Sequence, residues 1–305
     1  MKKRTEAQYM VRIGLVLGAG FAKGAYQYGA LKALLEYVPA TDIERVSASS
    51  VGALNGIGFC SGQMEYLQHA WNSIGQITKS SFIGSVLRSP KFAQTLTELA
   101  GCAQTLETRL YIALANVSDM TAEYCCMNKV PTDELERHVR AAVCMPGFNK
   151  SVMINGKKHI DGGWFDNIPV YPLQKYQLDY IIVIHFDKND FIFESELLNQ
   201  RIVNVTFPDR TMFSNALFVR GESIELMMNE GYAVGKAVFS ELFANGAGDL
   251  EYIYSYIKKN NSNREKPSLR LTTDVVISNI NRLTKKITHK KEIADDFSAD
   301  EDEKT

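Results

Sequence analysis

The chain lacks the features that most often reveal a protein's role. Its five cysteines (Cys60, Cys102, Cys125, Cys126 and Cys144) are odd in number and never spaced as CxxC, so neither a disulfide framework nor a zinc site follows from them. Such cysteines imply reduced, mostly buried thiols in a cytoplasm. Neither sign of charge dominates: 34 Lys and Arg against 35 Asp and Glu leave a formal net charge of -1. That balance gives no argument for nucleic acid as a partner, and none for a broad acidic or basic surface, so no nucleic acid is expected. No apolar run approaches the roughly 20 residues needed to span a bilayer. Carboxylates and histidines are scattered, so no metal site and no cofactor are expected, and no internal repeat is visible.

What is present is an ordinary globular composition, 45% hydrophobic and 23% charged over 305 residues. That length suits one large α/β domain or two of common size. Met1 to Arg4 is basic and Val11 to Ala22 mostly apolar, which together mimic a signal peptide. Arg12 interrupts the run, however, and Glu6, Gln8 and Tyr9 separate it from the basic cluster, so a first strand is the better reading.

That strand, Arg12 to Leu17, runs into the glycine-rich turn Gly18-Ala19-Gly20-Phe21-Ala22-Lys23-Gly24. A helix follows, with Leu31, Leu34, Leu35 and Val38 on one face, and ends at Pro39. Ile43 to Ala48 is a second apolar run, and it breaks at Ser49-Ser50 into a helix of small residues from Val51. This is a βαβ unit, whose strands should be parallel and whose crossover should be right-handed. A serine at a sharp strand-to-helix turn is a nucleophile elbow, with the amides of the new helix pointing at its hydroxyl. Ser50 is therefore the expected nucleophile.

Further on, Leu110 to Val117 and Ala122 to Met127 read as strands joined in a hairpin, and Pro131 opens a helix that Pro146-Gly147 stops. Val152 to His159 turns at Asn155-Gly156. Tyr180 to Ile184 has the unbroken apolar character of a strand buried on both faces, and Ile202 to Phe207 reads as a last strand. A long helix is expected from about Arg220 to Phe243. The segment from Gly62 to Ala103 is helical or irregular, either peripheral or a cap beside the site. Near the C-terminus five basic residues from Arg282 to Lys291 precede seven acidic ones between Glu292 and Glu303, the mark of a solvated tail.

A serine hydroxyl needs a base within hydrogen-bond reach and donors aimed at the developing oxyanion. The Gly18–Gly24 turn is suited to the second task. Its G-x-G-x-x-x-G spacing is one residue longer than the dinucleotide fingerprint, and no acid ends the second strand to take a ribose. For the base, a triad in the order Ser, Asp, His would draw on His185 or His289. Asp161 is the stronger candidate: it follows a hairpin and precedes two glycines, so little bulk shields its carboxylate. To work without a histidine, its pKa must be raised by burial.

From Ile13 to Pro169, with a fainter echo in Gly221 to Gly235, the chain resembles the patatin-like phospholipases. The resemblance is carried by Asp161-Gly162-Gly163 with Asn167 and Pro169, by Ser50-x-Gly52-Ala53-Leu54-Asn55 after a strand, and by Lys23-Gly24-Ala25-Tyr26 opening the first helix. It implies an α/β fold, a three-layer α/β/α sandwich with a mostly parallel central sheet. It also implies a serine lipid acyl hydrolase with a Ser50–Asp161 dyad, Ser50 as acyl acceptor and Asp161 as general base. The oxyanion hole would be formed by amides of Gly18, Ala19, Gly20 and Phe21, with Lys23, Gly24, Gly52, Gly162 and Gly163 as supporting motif positions. The domain would span 10–245, followed by a helical or irregular extension over 246–283 and a charged, disordered tail over 284–305.

Two departures stand out. Ala48 replaces the first glycine of the family's G-x-S-x-G, at the cost of one methyl group. In the family's G-G-G-x-[KR]-G loop, Ala19 and Phe21 replace glycines, which is penalised wherever φ is positive, and Phe21 is the position at issue. The expected substrate is a phospholipid or other acyl-ester lipid, met in the cytoplasm or at the periphery of a membrane. The Phe/Met-rich stretch Phe207, Met212, Phe213, Leu217, Phe218 and Val219 is a candidate to line an acyl groove or touch a bilayer. The competing readings are a Ser-His-Asp carboxylesterase and a degenerate hydrolase fold kept as a binding module.

Overall fold

A computed structural model describes residues 11–77, 81–187, 191–207, 218–219, 221–262 and 268–270. Twelve strands are formed among them. They are β1 (Ile13–Leu17), β2 (Ile43–Ser49), β3 (Ser81–Phe82), β4 (Arg109–Asn116), β5 (Thr121–Cys126) and β6 (Val152–Ile154). Then come β7 (Lys157–Asp161), β8 (Tyr180–Ile184), β9 (Phe191–Phe193), β10 (Ile202–Val205), β11 (Phe218–Val219) and β12 (Ser268–Arg270). Eight build the central sheet in the order β10-β8-β1-β2-β4-β7-β6, with β5 also on β4. The pairs from β10 to β4 are parallel, whereas β5, β6 and β7 join through antiparallel pairs. The sheet is thus mostly parallel, as the βαβ reading expects.

β1 and β8 are buried along their whole length, which is why both read as unbroken apolar runs. Each fully buried Ile, Leu or Val there contributes about 1.5–3 kcal/mol of transfer free energy. Helices α1 (Gly24–Leu34), α2 (Val51–Cys60), α3 (Met64–Gln76), α4 (Ile83–Leu87), α5 (Pro90–Cys102) and α6 (Leu135–Ala142), with the Gly221–Leu242 and Leu250–Ser262 helices, pack the larger core on one face. Every residue of α2 is buried, so this helix lies inside the protein and shows no polar stripe. The other face carries a smaller core of Val16, Ile181 and Val183 against Val170, Leu173, Phe191, Phe193 and Leu198. The three expected layers are present, one of them thin.

Local chemistry explains the boundaries. Ser89 caps α5 by accepting the amide of Phe92 at 3.1 Å, with Pro90 at the first helical position. The β6–β7 hairpin turns at Asn155 and Gly156, both at positive φ (50° and 75°), as an Asn-Gly turn should. The last strand of the central sheet is β10, at its edge. It is not the last strand of the chain: β11 and β12 follow and pair with β3 and β9 in two separate two-stranded sheets. Of the region beyond residue 245, the Leu250–Ser262 helix buries Ile253 and Ile257 in the main core, and the charged tail lies outside the described residues.

The strand pairing decides the position of the site. One edge of β4 is taken by β5. The opposite edge is shared: β2 pairs with it from Arg109 to Ala113, and β7 from Leu114 to Asn116. The last rung of β2 is Ser49 on Ala113, and the last rung of β7 is Asp161 on Leu114. Two strands running towards each other therefore end on adjacent rungs of the same strand.

Candidate active site

Ser50 follows the last residue of β2 and begins α2 with φ 56° and ψ -129°. This backbone is rarely adopted by a residue with a side chain and marks a strained elbow. The turn is tight because β1 passes close beneath it. A Cβ at Gly52 would lie 2.3 Å from the carbonyl oxygen of Leu17, so only glycine fits. Ala48 is fully buried in the main core, and its methyl group is accommodated there.

Asp161 ends β7, where its amide donates to the carbonyl of Cys144 at 3.0 Å. Its side chain accepts from two donors: Gly163 N at 2.8 Å on Oδ1 and Ser50 Oγ at 2.5 Å on Oδ2. Gly162 must be glycine, since a Cβ there would stand 2.2 Å from the carbonyl oxygen of Ala113. Burial pushes the Asp161 carboxyl up to about 6, while the hydrogen bonds from Ser50 and Gly163 oppose that rise. The group is thus a base poised to change charge near neutral pH.

Of the residues expected in the oxyanion hole, Gly18 donates its amide to Ile184 O at 2.9 Å and Ala19 donates its own to Asn167 O at 2.8 Å. Gly20 and Phe21 line the cavity that holds Ser50. Phe21 stands at φ 53°, the strained position anticipated from its replacement of a glycine. Lys23 lines the same cavity, and Gly24 opens α1 against Val51 and Trp71.

A buried polar network ties these pieces together, and only part of it is legible beforehand. Asn55 on α2 donates to Gly24 O and to Gln27 Oε1, both at 2.9 Å, and accepts from Trp71 Nε1 at 2.9 Å. Gln27 continues to the carbonyls of Gly18 and Ile184 at 3.3 and 3.1 Å. Asn55 belongs to the elbow motif, whereas Gln27 and Trp71 belong to no motif. The one available signal is a glutamine among the small and apolar residues of α1.

Two cavities meet at the dyad. One, nearly all apolar, is walled by Leu54, Trp71, Ile83, Val86, Leu87, Phe92 and Val143 and reaches both Ser50 and Asp161. The segment from Gly62 to Ala103 therefore supplies its wall and is not merely peripheral. The other, about 340 Å³, is more polar and open, with Lys23, Met145, Trp164, Asn167, Phe186 and Asp187 around Ser50. His185 lines neither cavity. It is buried against the ring of Phe191 (centroids 4.9 Å), and its Nδ1 accepts from Asp187 N at 3.2 Å. His289 lies outside the described residues. So do 208–217, which hold Met212, Phe213 and Leu217, half of the named Phe/Met-rich stretch. Phe207 stacks on Phe186 at 5.4 Å and is not part of either cavity lining.

Several known proteins are similar to this chain. The sequence model of the patatin-like phospholipases matches residues 15–173. An uncharacterized NTE family protein of Mycobacterium tuberculosis is 23% identical over 185 residues, covering 59% of this chain and 50% of that protein. Lysophospholipase NTE1 of Cryptococcus neoformans is 28% identical over 187 residues, 57% of this chain and 11% of the fungal protein. Neuropathy target esterase sws of Drosophila melanogaster is 27% identical over 191 residues, 58% and 13% of the two chains. The chain thus spans half the length of the mycobacterial relative and a small part of the other two. Among solved structures, VipD from Legionella pneumophila is similar with a TM-score of 0.42 and 11% identity, over 76% of this chain and 67% of that one. With a family match that covers more than half of the residues and contains both Ser50 and Asp161, the chain belongs to the patatin-like phospholipase family.

Proposed function

We propose that the protein is a serine lipid acyl hydrolase of phospholipase A or lysophospholipase type, working through a Ser50–Asp161 dyad. The observation that carries this reading is the 2.5 Å hydrogen bond from Ser50 Oγ to a buried carboxylate, at the junction of an apolar cavity with a polar one. Asp161 removes the hydroxyl proton as Ser50 Oγ attacks the ester carbonyl carbon. The tetrahedral oxyanion is held by amides of Gly20 and Phe21, beside the N-terminus of α2. Collapse expels the alcohol, which takes the proton from Asp161 and leaves an acyl group on Ser50. Water then gives a proton to Asp161 as it attacks the acyl-enzyme, and the proton returns to Ser50 as the fatty acid leaves.

The apolar cavity, about 50 Å³, suits in its chemistry the carbons of the acyl chain next to the ester, and the polar one suits the alcohol portion with its head group. Trp164 (64% exposed) and Phe21 (39% exposed) stand at the rim of the Ser50 cavity. Aromatic side chains at such a rim are suited to the boundary of a lipid surface. Among the described residues no helix is long and apolar enough to cross a membrane, so contact of this kind would be peripheral. The deciding experiment is product analysis after incubation with mixed phospholipids and lysophospholipids. Wild type should release free fatty acid, and Ser50→Ala and Asp161→Asn should not. Fatty acid release undiminished in either folded variant would overturn the dyad.

A further inference from the structure

Strand β12 pairs in parallel with β9, Arg270 opposite Phe193. It lies well beyond residue 173, where the family match ends, yet its last residue reaches the loop that follows Asp161. Arg270 Nη1 donates to Asp187 Oδ2 at 3.1 Å, and Nη2 donates to Asn167 Oδ1, 103 residues away along the chain. Asp166 Oδ1 is 3.6 Å from Nη2, and the guanidinium lies over the ring of Phe191 at 5.5 Å. The side chain is only 20% exposed.

The partners of Arg270 are themselves joined. Asn167 Nδ2 donates to Asp187 Oδ1 at 3.1 Å, and the Asn167 carbonyl accepts the amide of Ala19 at 2.8 Å. The Asp166 amide donates to Gly162 O at 2.9 Å, and its carboxylate accepts the hydroxyl of Tyr124 at 2.7 Å. One guanidinium therefore grips the loop that leaves Asp161 and, through Asn167, the loop that carries Gly20 and Phe21. A planar fork with several fixed donors can hold two carboxylates and an amide oxygen at once; a lysine ammonium lacks that geometry.

We propose that Arg270 is a positioning residue for the reaction. It orders Asn167, whose carbonyl holds the Ala19 amide, and so steadies the loop whose Gly20 and Phe21 line the Ser50 cavity and are assigned above to the oxyanion. This rests on the dyad reading above. On this view the protein needs a C-terminal strand that carries no reacting group. Because the donors act on charge that develops only in the transition state, loosening them lowers kcat and spares KM.

The test uses the full chain as wild type, Arg270→Ala and Arg270→Lys, with Ser50→Ala as the blank and p-nitrophenyl butyrate as the probe. Hydrogen exchange is followed over peptides covering 15–24 and 162–170. Arg270→Ala should lose about tenfold or more in kcat, up to the roughly 10²–10³ that outright removal of an oxyanion donor costs, with KM little changed. Millimolar guanidinium chloride should restore part of it, and exchange should quicken in those two peptides and not across the sheet. Arg270→Lys keeps the charge without the fork and should also lose kcat; it carries the test if Arg270→Ala does not fold. Unchanged kcat in a folded variant overturns the proposal. So does a loss that guanidinium does not rescue and that comes with faster exchange throughout. If wild type shows no Ser50-dependent hydrolysis, it is the dyad reading that fails. Exchange then decides the clamp alone: release in the two peptides supports it and no change overturns it.

Discussion

Ser50 and Asp161 are 111 residues apart in the chain, and their side chains meet at 2.5 Å between Oγ and Oδ2. The carboxyl, pushed up to about 6 by burial, must be ionised to take the serine proton. Activity should therefore rise with pH through about 6 and level off above it. At pH 5 roughly a tenth of the protein would carry an ionised Asp161. A profile of kcat/KM between pH 4.5 and 8 checks this, and an activity that stays flat below pH 6 would speak against Asp161 as the base.

The same shift makes a stability prediction. In the unfolded chain the carboxyl titrates near its ordinary 3.8, and in the folded protein near 6. Between these values the folded state binds more protons, so this group's contribution falls as pH rises from 4 to 6. Above pH 6 the buried charge costs the fold on the order of 3 kcal/mol. Asp161→Asn should thus be inactive yet melt at or above wild type at pH 8, with the advantage gone near pH 4. Thermal unfolding of both proteins across that range is the measurement.

The elbow stores backbone strain at Ser50, where φ is 56°. Ser50→Ala removes the hydroxyl and keeps the strain, whereas Ser50→Gly releases it. Strain of about 1–3 kcal/mol outweighs the 0.5–1 kcal/mol cost of a flexible glycine. The glycine variant should therefore be more stable than the alanine variant by about 1 kcal/mol in denaturant titrations.

Gly52 and Gly162 face backbone carbonyls at distances no Cβ can occupy, 2.3 Å to Leu17 O and 2.2 Å to Ala113 O. Gly52→Ala and Gly162→Ala should each cost about 2 kcal/mol or more, because the obstructing atoms belong to central strands. Both should also lose Ser50 reactivity towards a fluorophosphonate. Gly101, in α5 with nothing near its missing side chain, is the control. Gly101→Ala should gain up to about 1 kcal/mol.

His185 lies outside both cavities at Ser50. His185→Gln should keep fluorophosphonate labelling of Ser50 while lowering the melting temperature, since a buried ring packed on Phe191 is lost. Loss of labelling in a folded variant would restore the Ser-His-Asp reading.

Much of this protein is legible in local chain chemistry. β1 and β8 announce themselves as unbroken apolar runs, and the hairpin at Asn155-Gly156 follows from two residues that tolerate positive φ. Ser50 stands out because a strand stops and a helix of small residues starts at it, and Phe21 because a bulky residue sits where glycine is expected. Such features depend on φ, ψ and hydrophobic period over a few residues, which neighbours in sequence determine among themselves. The partnership of Ser50 with Asp161 is of another kind. Motif order suggests it, but contact requires β2 and β7 to end on adjacent rungs of β4, a matter of register between strands far apart in sequence. The same holds for Gln27 and Trp71 beneath the glycine turn, for the α4–α5 wall of the apolar cavity, and for Arg270 against Asn167. No local pattern encodes these, because the free energy that selects them comes from packing and pairing that exist only once distant segments are brought together.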